Sequence, residues 1–99
     1  MTILDPARER QAIGESLAEL LWQYATRVMR KTKKNQAQIA RDAWLDESYV
    51  SRLISGQREN PSRDALLLLA GWGLGLSAEE TDKLLLAADY KPLVFPRNR

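Results

Sequence analysis

Apolar residues recur at intervals of three and four along most of the chain, which is the spacing of one face of an α-helix. Over residues 6–31 the stripe consists of Ile13, Leu17, Leu20, Leu21, Tyr24 and Val28. It predicts a long first helix, and Pro6 suits the first turn because proline has no N–H to leave unpaired there. No stretch alternates apolar and polar residues as a half-buried strand does.

Two short helices are predicted next. Asn35 followed by Gln38 has the spacing of a capping box, so the second helix starts at this point. Its inward residues are Ile39, Ala40 and Ala43. After "WLD", Asp46 can cap a third helix, "ESYVSRLIS", which Gly56 ends in a left-handed conformation. Its apolar residues are Val50, Leu53 and Ile54.

The last two helices are the most apolar. Ser62 caps a fourth, central helix that the glycines of "GWGLG" end, and its apolar residues include Leu66, Leu67, Leu69 and Ala70. Ser77 and Glu80 repeat the capping-box spacing before a fifth helix that runs to about Tyr90. The apolar residues of that helix are Leu84, Leu85, Leu86 and Ala88. By their helical spacing among leucines, Trp22, Tyr24 and Trp72 are expected in the core.

Length and composition then limit the fold and the function. Ninety-nine residues predict one all-α domain over 1–99, with residues 1–11 and 93–99 as terminal extensions. The chain has no Cys and no His, which removes the usual metal ligands, the thiol nucleophile and the commonest general base. We therefore expect neither an enzyme nor a cofactor. The apolar run at 65–76 is too short for a membrane span and the N-terminus is no signal peptide, so a cytoplasmic protein is expected.

Positive charge is concentrated in the middle of the chain. Residues 27–63 contain nine basic and four acidic residues, whereas the whole chain has a net charge of only +2. Such a segment attracts anions, although a solvated face of lysines and arginines is an equally good interpretation of the run "RKTKK".

The paired short helices suggest what the anion is. Helices of about eight residues are poorly stable alone, and a helix-turn-helix motif uses such a pair by laying its second helix in the DNA major groove. Here the polar residues near the start of the third helix, opposite Val50 and Leu53, are Glu47, Ser48, Ser51 and Arg52. The alternative is an ordinary polar surface helix.

The stretch "NQAQIARDAWLDESYVSRLISGQRENPS" resembles the Cro and C1 repressor type of helix-turn-helix domain, the XRE family. The matching residues are Gln36, Ile39, Ala40, Ser48, Tyr49, Val50, Ser51, Gly56, Asn60, Pro61 and Ser62. The likeness extends over about residues 12–92, with the motif itself at about 36–55. It implies a five-helix, lambda-repressor-like DNA-binding domain with a long N-terminal helix. Trp44 stands where the family has Gly, which predicts either a different turn or an exposed Trp44.

The resemblance also implies roles for residues. Asn35, Gln36 and the start of the second helix are expected at a phosphate, with Asn35 also capping that helix. Glu47 can accept from cytosine N4, Arg52 can donate twice to guanine, and Ser48 and Ser51 suit base or phosphate. Glu47 is equally well explained by the helix dipole. The other residues expected on the DNA backbone are Lys33, Lys34, Ser55, Arg58 and Asn60.

The sequence thus predicts a dimeric transcriptional regulator that binds double-stranded DNA in the major groove, as a repressor on a pseudo-palindromic operator. The alternative is a protein-interaction module, such as an antitoxin-like partner or a target of an anti-repressor, that uses the same helical face.

Overall fold

The structure is a computed structural model that describes residues 16–93. Over these residues it contains the helices α1 (Leu17–Thr32), α2 (Gln36–Asp42), α3 (Glu47–Ser55), α4 (Arg63–Leu68) and α5 (Ala78–Ala87). The fourth helix runs directly into a π-helical segment, Leu69–Gly73. No strand occurs in this part of the chain, which confirms the all-α class. Among the described helices, none is both long and apolar enough to cross a bilayer.

The first helix begins later than the predicted 6–31. Ser16 is extended, its Oγ accepts from the Glu19 N–H at 3.2 Å, and Glu19 Oε1 accepts from the Ser16 N–H at 2.9 Å. This capping box starts α1 at Leu17, so the prediction of one continuous helix from residue 6 is wrong. The predicted positions Pro6 and Ile13 lie outside the described residues.

The caps predicted for the later helices are confirmed, with one exception. The side chains of Asn35, Asp46, Ser62 and Ser77 each accept the N–H three residues on. Glu80 completes the capping box at Ser77. The box expected at Asn35 is wrong, because Gln38 Oε1 accepts from Arg41 Nη2 at 3.0 Å and not from the Asn35 N–H. Gly56 ends α3 with a φ of 85°, as predicted.

The core lies where the inner faces of all five helices meet. Its fully buried large side chains are Leu21, Ile39, Val50, Leu53, Pro61, Leu66, Leu69, Leu84 and Leu85. Tyr24 is buried as expected, whereas Ile54, Leu67 and Ala88 are half-buried and Leu86 is 58% exposed. The sequence pattern therefore identifies most of the core and overestimates the width of the apolar face of α5.

Trp22 and Trp72 are not in the core, which corrects the prediction. They are 60% and 69% exposed. On α1 the buried stripe is centred on Leu21 and Ala25, so Trp22 is turned about 100° away from it. In the π-helical segment Leu69, Ala70 and Gly73 are buried, whereas Gly71 and Trp72 face out.

Gly73 explains why this segment lies so close to α2. A Cβ at this position would lie 3.0 Å from the Ile39 carbonyl oxygen and 3.2 Å from the Ala43 Cβ. The Leu74 N–H donates to the Leu69 carbonyl at 2.8 Å, which closes the wider π turn. The fourth helix is therefore α-helical for only six residues before it widens at its contact with α2.

The fifth helix ends at Ala87 rather than at Tyr90. Asp89 has a φ of 67°, and this left-handed residue turns the chain back. The Tyr90 hydroxyl then donates to the Pro61 carbonyl at 2.7 Å, and the Leu93 N–H donates to Asp82 Oδ1 at 2.6 Å. The first bond fixes the segment after α5 against the loop between α3 and α4, and the second fixes it against α5 itself.

Candidate nucleic-acid interface

Helices α2 and α3 are joined by a four-residue connection, residues 43–46, one residue longer than "WLD". The Leu45 N–H donates to the Ala40 carbonyl at 2.9 Å, and the Trp44 N–H donates to the Arg41 carbonyl at 3.0 Å. Asp46 Oδ2 then accepts from the Tyr49 N–H at 3.2 Å and caps α3. The connection is thus held at both ends by hydrogen bonds, which fixes the start of α3 relative to α2.

Trp44 has the left-handed backbone conformation that glycine adopts most readily. Its φ is 62° and its side chain is 83% exposed. A left-handed conformation costs an L-residue with a Cβ about 1–2 kcal/mol. The left-handed conformation at Trp44 therefore costs stability, and the turn places an indole on the surface beside α3.

The outward face of α3 is polar throughout. All four residues predicted to read bases, Glu47, Ser48, Ser51 and Arg52, are exposed. Within residues 16–93 their side chains make no hydrogen bond or ion pair. Val50 and Leu53 are buried on the opposite face, at 0% and 1% exposure. The structure therefore places the four predicted side chains on one accessible surface.

The residues predicted to contact phosphate lie around this face in different settings. Lys33 is exposed at the left-handed C-cap of α1, and Asn60 is exposed with a φ of 57°. Gln36 is half-buried, and Asn35 Oδ1 is occupied by the Gln38 N–H at 2.8 Å. Ser55 is exposed and its hydroxyl donates to the Arg52 carbonyl at 3.2 Å.

Arg58 is positioned by the ring of Tyr49, a residue of the resemblance to which no role was assigned from the sequence. Its guanidinium carbon lies 5.3 Å from the centre of the Tyr49 ring, and the backbone N–H of Arg58 donates to the Arg52 carbonyl at 3.0 Å. A cation over a tyrosine face is attracted by the π electrons. Tyr49 therefore holds a positive charge at the C-terminal side of the α3 face.

Lys34 differs from the other predicted phosphate contacts because its charge is already paired. Its Nζ lies 2.6 Å from Asp42 Oδ2 and donates to the Gly73 carbonyl at 3.0 Å. The hydrogen bond from Lys34, followed by the one from Gln38, lowers the pKa of Asp42. No spacing in the sequence indicates this contact, because Gly73 comes 39 residues after Lys34.

The described residues hold no group of three or more acidic side chains that could bind a metal ion. Comparisons with models of protein families, with curated proteins and with solved structures found no match to this chain. The interpretation of this surface consequently rests on its own residues and geometry.

Proposed function

We propose that the chain is a sequence-specific DNA-binding transcriptional regulator with a lambda-repressor-like, helix-turn-helix architecture. The observation that carries the proposal is the polar face of α3, whose four side chains are exposed on a helix that the core fixes from the other side. A helix has the diameter that the DNA major groove admits, and short polar side chains together with a forked arginine suit its base edges.

The charges around α3 support the same proposal. Lys33 and Arg58 are exposed on loops at either side of the pair of helices. In the proposed complex they bind phosphates and set the register, while Glu47, Ser48, Ser51 and Arg52 read the bases. The regulator acts without a cofactor, as a two-fold dimer on a pseudo-palindromic operator, because paired half-sites supply the base pairs that one unit lacks.

Selection of bound sequences from a random DNA pool tests the proposal directly. We expect enrichment of one pseudo-palindromic site, and fluorescence anisotropy titrations that show binding roughly 10³-fold or more tighter on that site than on scrambled DNA. Equal affinity for selected and scrambled DNA at moderate salt would show that α3 does not recognise a base sequence.

Trp44 favours a second candidate, a protein-interaction module. The Trp44 indole is 83% exposed in the turn before α3. Tryptophan is enriched among the residues that contribute most to protein–protein binding, so this exposed ring suits a protein partner better than a surface that contacts only DNA. The two candidates differ in what a pair of substitutions does. If α3 reads DNA, Arg52→Ala weakens DNA binding and Trp44→Ala does not; for a protein interface, both leave DNA affinity unchanged.

A further inference from the structure

Lys34 connects three parts of the molecule. It lies in the loop between α1 and α2, and its ammonium group binds Asp42 Oδ2 at the end of α2 and the Gly73 carbonyl at the end of the π-helical segment. The other carboxylate oxygen, Oδ1, accepts from Gln38 Nε2 at 2.8 Å. We call this arrangement of Lys34, Asp42 and the Gly73 carbonyl the Lys34 bridge.

The bridge acts where packing is tightest. Gly73 is the residue at which the π-helical segment approaches α2, with room for no side chain between it and Ile39 or Ala43. Helix α2 has only seven residues, too few to be stable by itself. Its orientation therefore comes from this packing and from the bridge that closes over it.

Electrostatics argues against a phosphate role for Lys34. Asp42 is a carboxylate at neutral pH, since the ordinary pKa of an aspartate, 3.8, already lies well below 7 and the Lys34 hydrogen bond lowers the pKa of Asp42 further. If Lys34 moved to a phosphate, that carboxylate would lose its cation beside the negatively charged DNA backbone. While the pair stays together its net charge is zero, so it releases few counterions on binding.

We propose that Lys34 is a positioning residue of the candidate interface and not one of its phosphate contacts. The bridge fixes α2 against the π-helical segment, and the hydrogen-bonded connection at 43–46 passes that orientation on to α3. The proposal rests on the proposed function only in stating that α3 is the helix presented to DNA.

The test compares Lys34→Met and Asp42→Asn with a charge control, Lys83→Met, on an exposed position of α5. Affinity for the selected site is measured at several salt concentrations. If loss of the bridge leaves about a tenth of the molecules with α3 correctly placed, the apparent Kd rises about tenfold for both variants. The slope of log Kd against log salt concentration should be the same for these two variants as for Lys83→Met. Lys34→Arg, which keeps the cation, should retain more affinity than Lys34→Met.

Asp42→Asn is the decisive variant because simple electrostatics predicts the opposite result. Removal of a negative charge near a phosphate contact strengthens DNA binding, whereas removal of half the bridge weakens it. If Asp42→Asn binds more tightly and Lys34→Met reduces the salt slope by about one, Lys34 is a phosphate contact and the proposal is wrong.

A measurement without DNA separates this proposal from the proposed function. Amide chemical shifts of free Lys34→Met and Asp42→Asn should change along α3 (Glu47–Ser55) as well as at the bridge. Changes confined to the α1–α2 loop, α2 and residue 73 would overturn the positioning role. A wild-type protein with no preferred DNA sequence would reject the proposed function alone, and the shifts would still decide the role of Lys34.

Discussion

At the scale of single residues, equal charges have unequal surroundings. Lys33, Lys34 and Arg58 carry the same charge and were predicted to have the same role. The structure leaves Lys33 exposed, binds Lys34 to Asp42 and Gly73, and places Arg58 over the Tyr49 ring. A basic residue near a polar helix is consequently a weak predictor of a phosphate contact until its own partners are known.

The roles proposed for Arg52 and Arg58 differ in a way that DNA-binding titrations can measure. Arg52→Ala should cost roughly 1–3 kcal/mol on the selected site and relax the preference at one base pair, because a forked donor to a base edge is lost. Arg58→Ala should weaken binding to all sequences about equally and lower the salt slope by about one unit, because one fewer counterion is released. Both variants are titrated on selected and scrambled DNA at several salt concentrations.

These two substitutions serve as controls for each other, since each removes one guanidinium from an exposed position. An unchanged preference in Arg52→Ala would contradict base reading by α3. A loss restricted to the selected site in Arg58→Ala would assign that residue to a base instead.

At the scale of elements, the sequence predicts what is local. Caps at Asn35, Asp46, Ser62 and Ser77 depend on residues three apart, and the exposed face of α3 follows from its period. The capping box at Ser16 has the same kind of signal and was missed because the apolar stripe continued past it.

The features that the sequence did not predict depend on distant parts of the chain. The π-helical segment and the outward position of Trp72 follow from the approach of Gly73 to α2. The Lys34 bridge needs that same approach. Such contacts between elements far apart along the chain have no periodic pattern that a single sequence could display.

The close approach at Gly73 has a matched control two residues away. Gly73→Ala should destabilise the fold by about 1–3 kcal/mol, because the added Cβ meets the Ile39 carbonyl at 3.0 Å in a packed region. At Gly71 a Cβ meets nothing within 4 Å, so Gly71→Ala should be neutral or stabilising by up to about 1 kcal/mol. Urea unfolding midpoints measure both, and equal effects would contradict the packing described for Gly73.

The contact between α1 and α5 makes stability depend on pH. Arg27 Nη1 lies 2.7 Å from Glu80 Oε2, and this hydrogen bond, with that of the Ser77 backbone, lowers the pKa of Glu80 from 4.5 to about 2. A carboxyl whose pKa is lower in the folded state stabilises the fold above its unfolded pKa. That contribution is fully present above about pH 4.5 and disappears as the pH falls through about 2.

Glu80→Gln isolates this effect because the amide oxygen can still complete the capping box at Ser77. We expect it to lower the unfolding free energy at pH 7 by a small amount, typical of a partly exposed pair, and to match the wild type near pH 2. Glu79→Gln removes a charge from the same helical turn, and Glu79 makes no ion pair within residues 16–93. If the unfolding free energy of Glu79→Gln depended on pH in the same way as that of Glu80→Gln, the ion pair with Arg27 would not be the cause of the pH dependence.

At the scale of the whole molecule, the exposed apolar side chains limit how two copies can pair. Large apolar residues at the surface are Trp22 on α1, Trp44 and Trp72 beside α2, and Leu86 and Leu93 at α5 and the segment after it. Leu86 and Leu93 are 58% and 45% exposed. They lie on α5 and in the segment after it, so this surface is one candidate for the interface of the proposed dimer. Val94 and Phe95, which follow Leu93 in the sequence, lie outside the described part of the chain.

Leu86→Lys and Trp22→Lys distinguish two candidate surfaces for the proposed dimer, one on α5 and one on α1. Both place a charge on an exposed apolar position, so neither should disturb the core. A charge inside the dimer interface should prevent pairing, whereas a charge outside it should not. If α5 pairs the copies, sedimentation at several concentrations should show Leu86→Lys shifted to monomer and Trp22→Lys still dimeric. Weakened binding to a full palindrome should accompany the shift, since half-sites about 34 Å apart need two linked copies. The reverse pattern would transfer the interface to α1, and a wild-type protein that is monomeric at every concentration, with or without operator DNA, would reject the dimer.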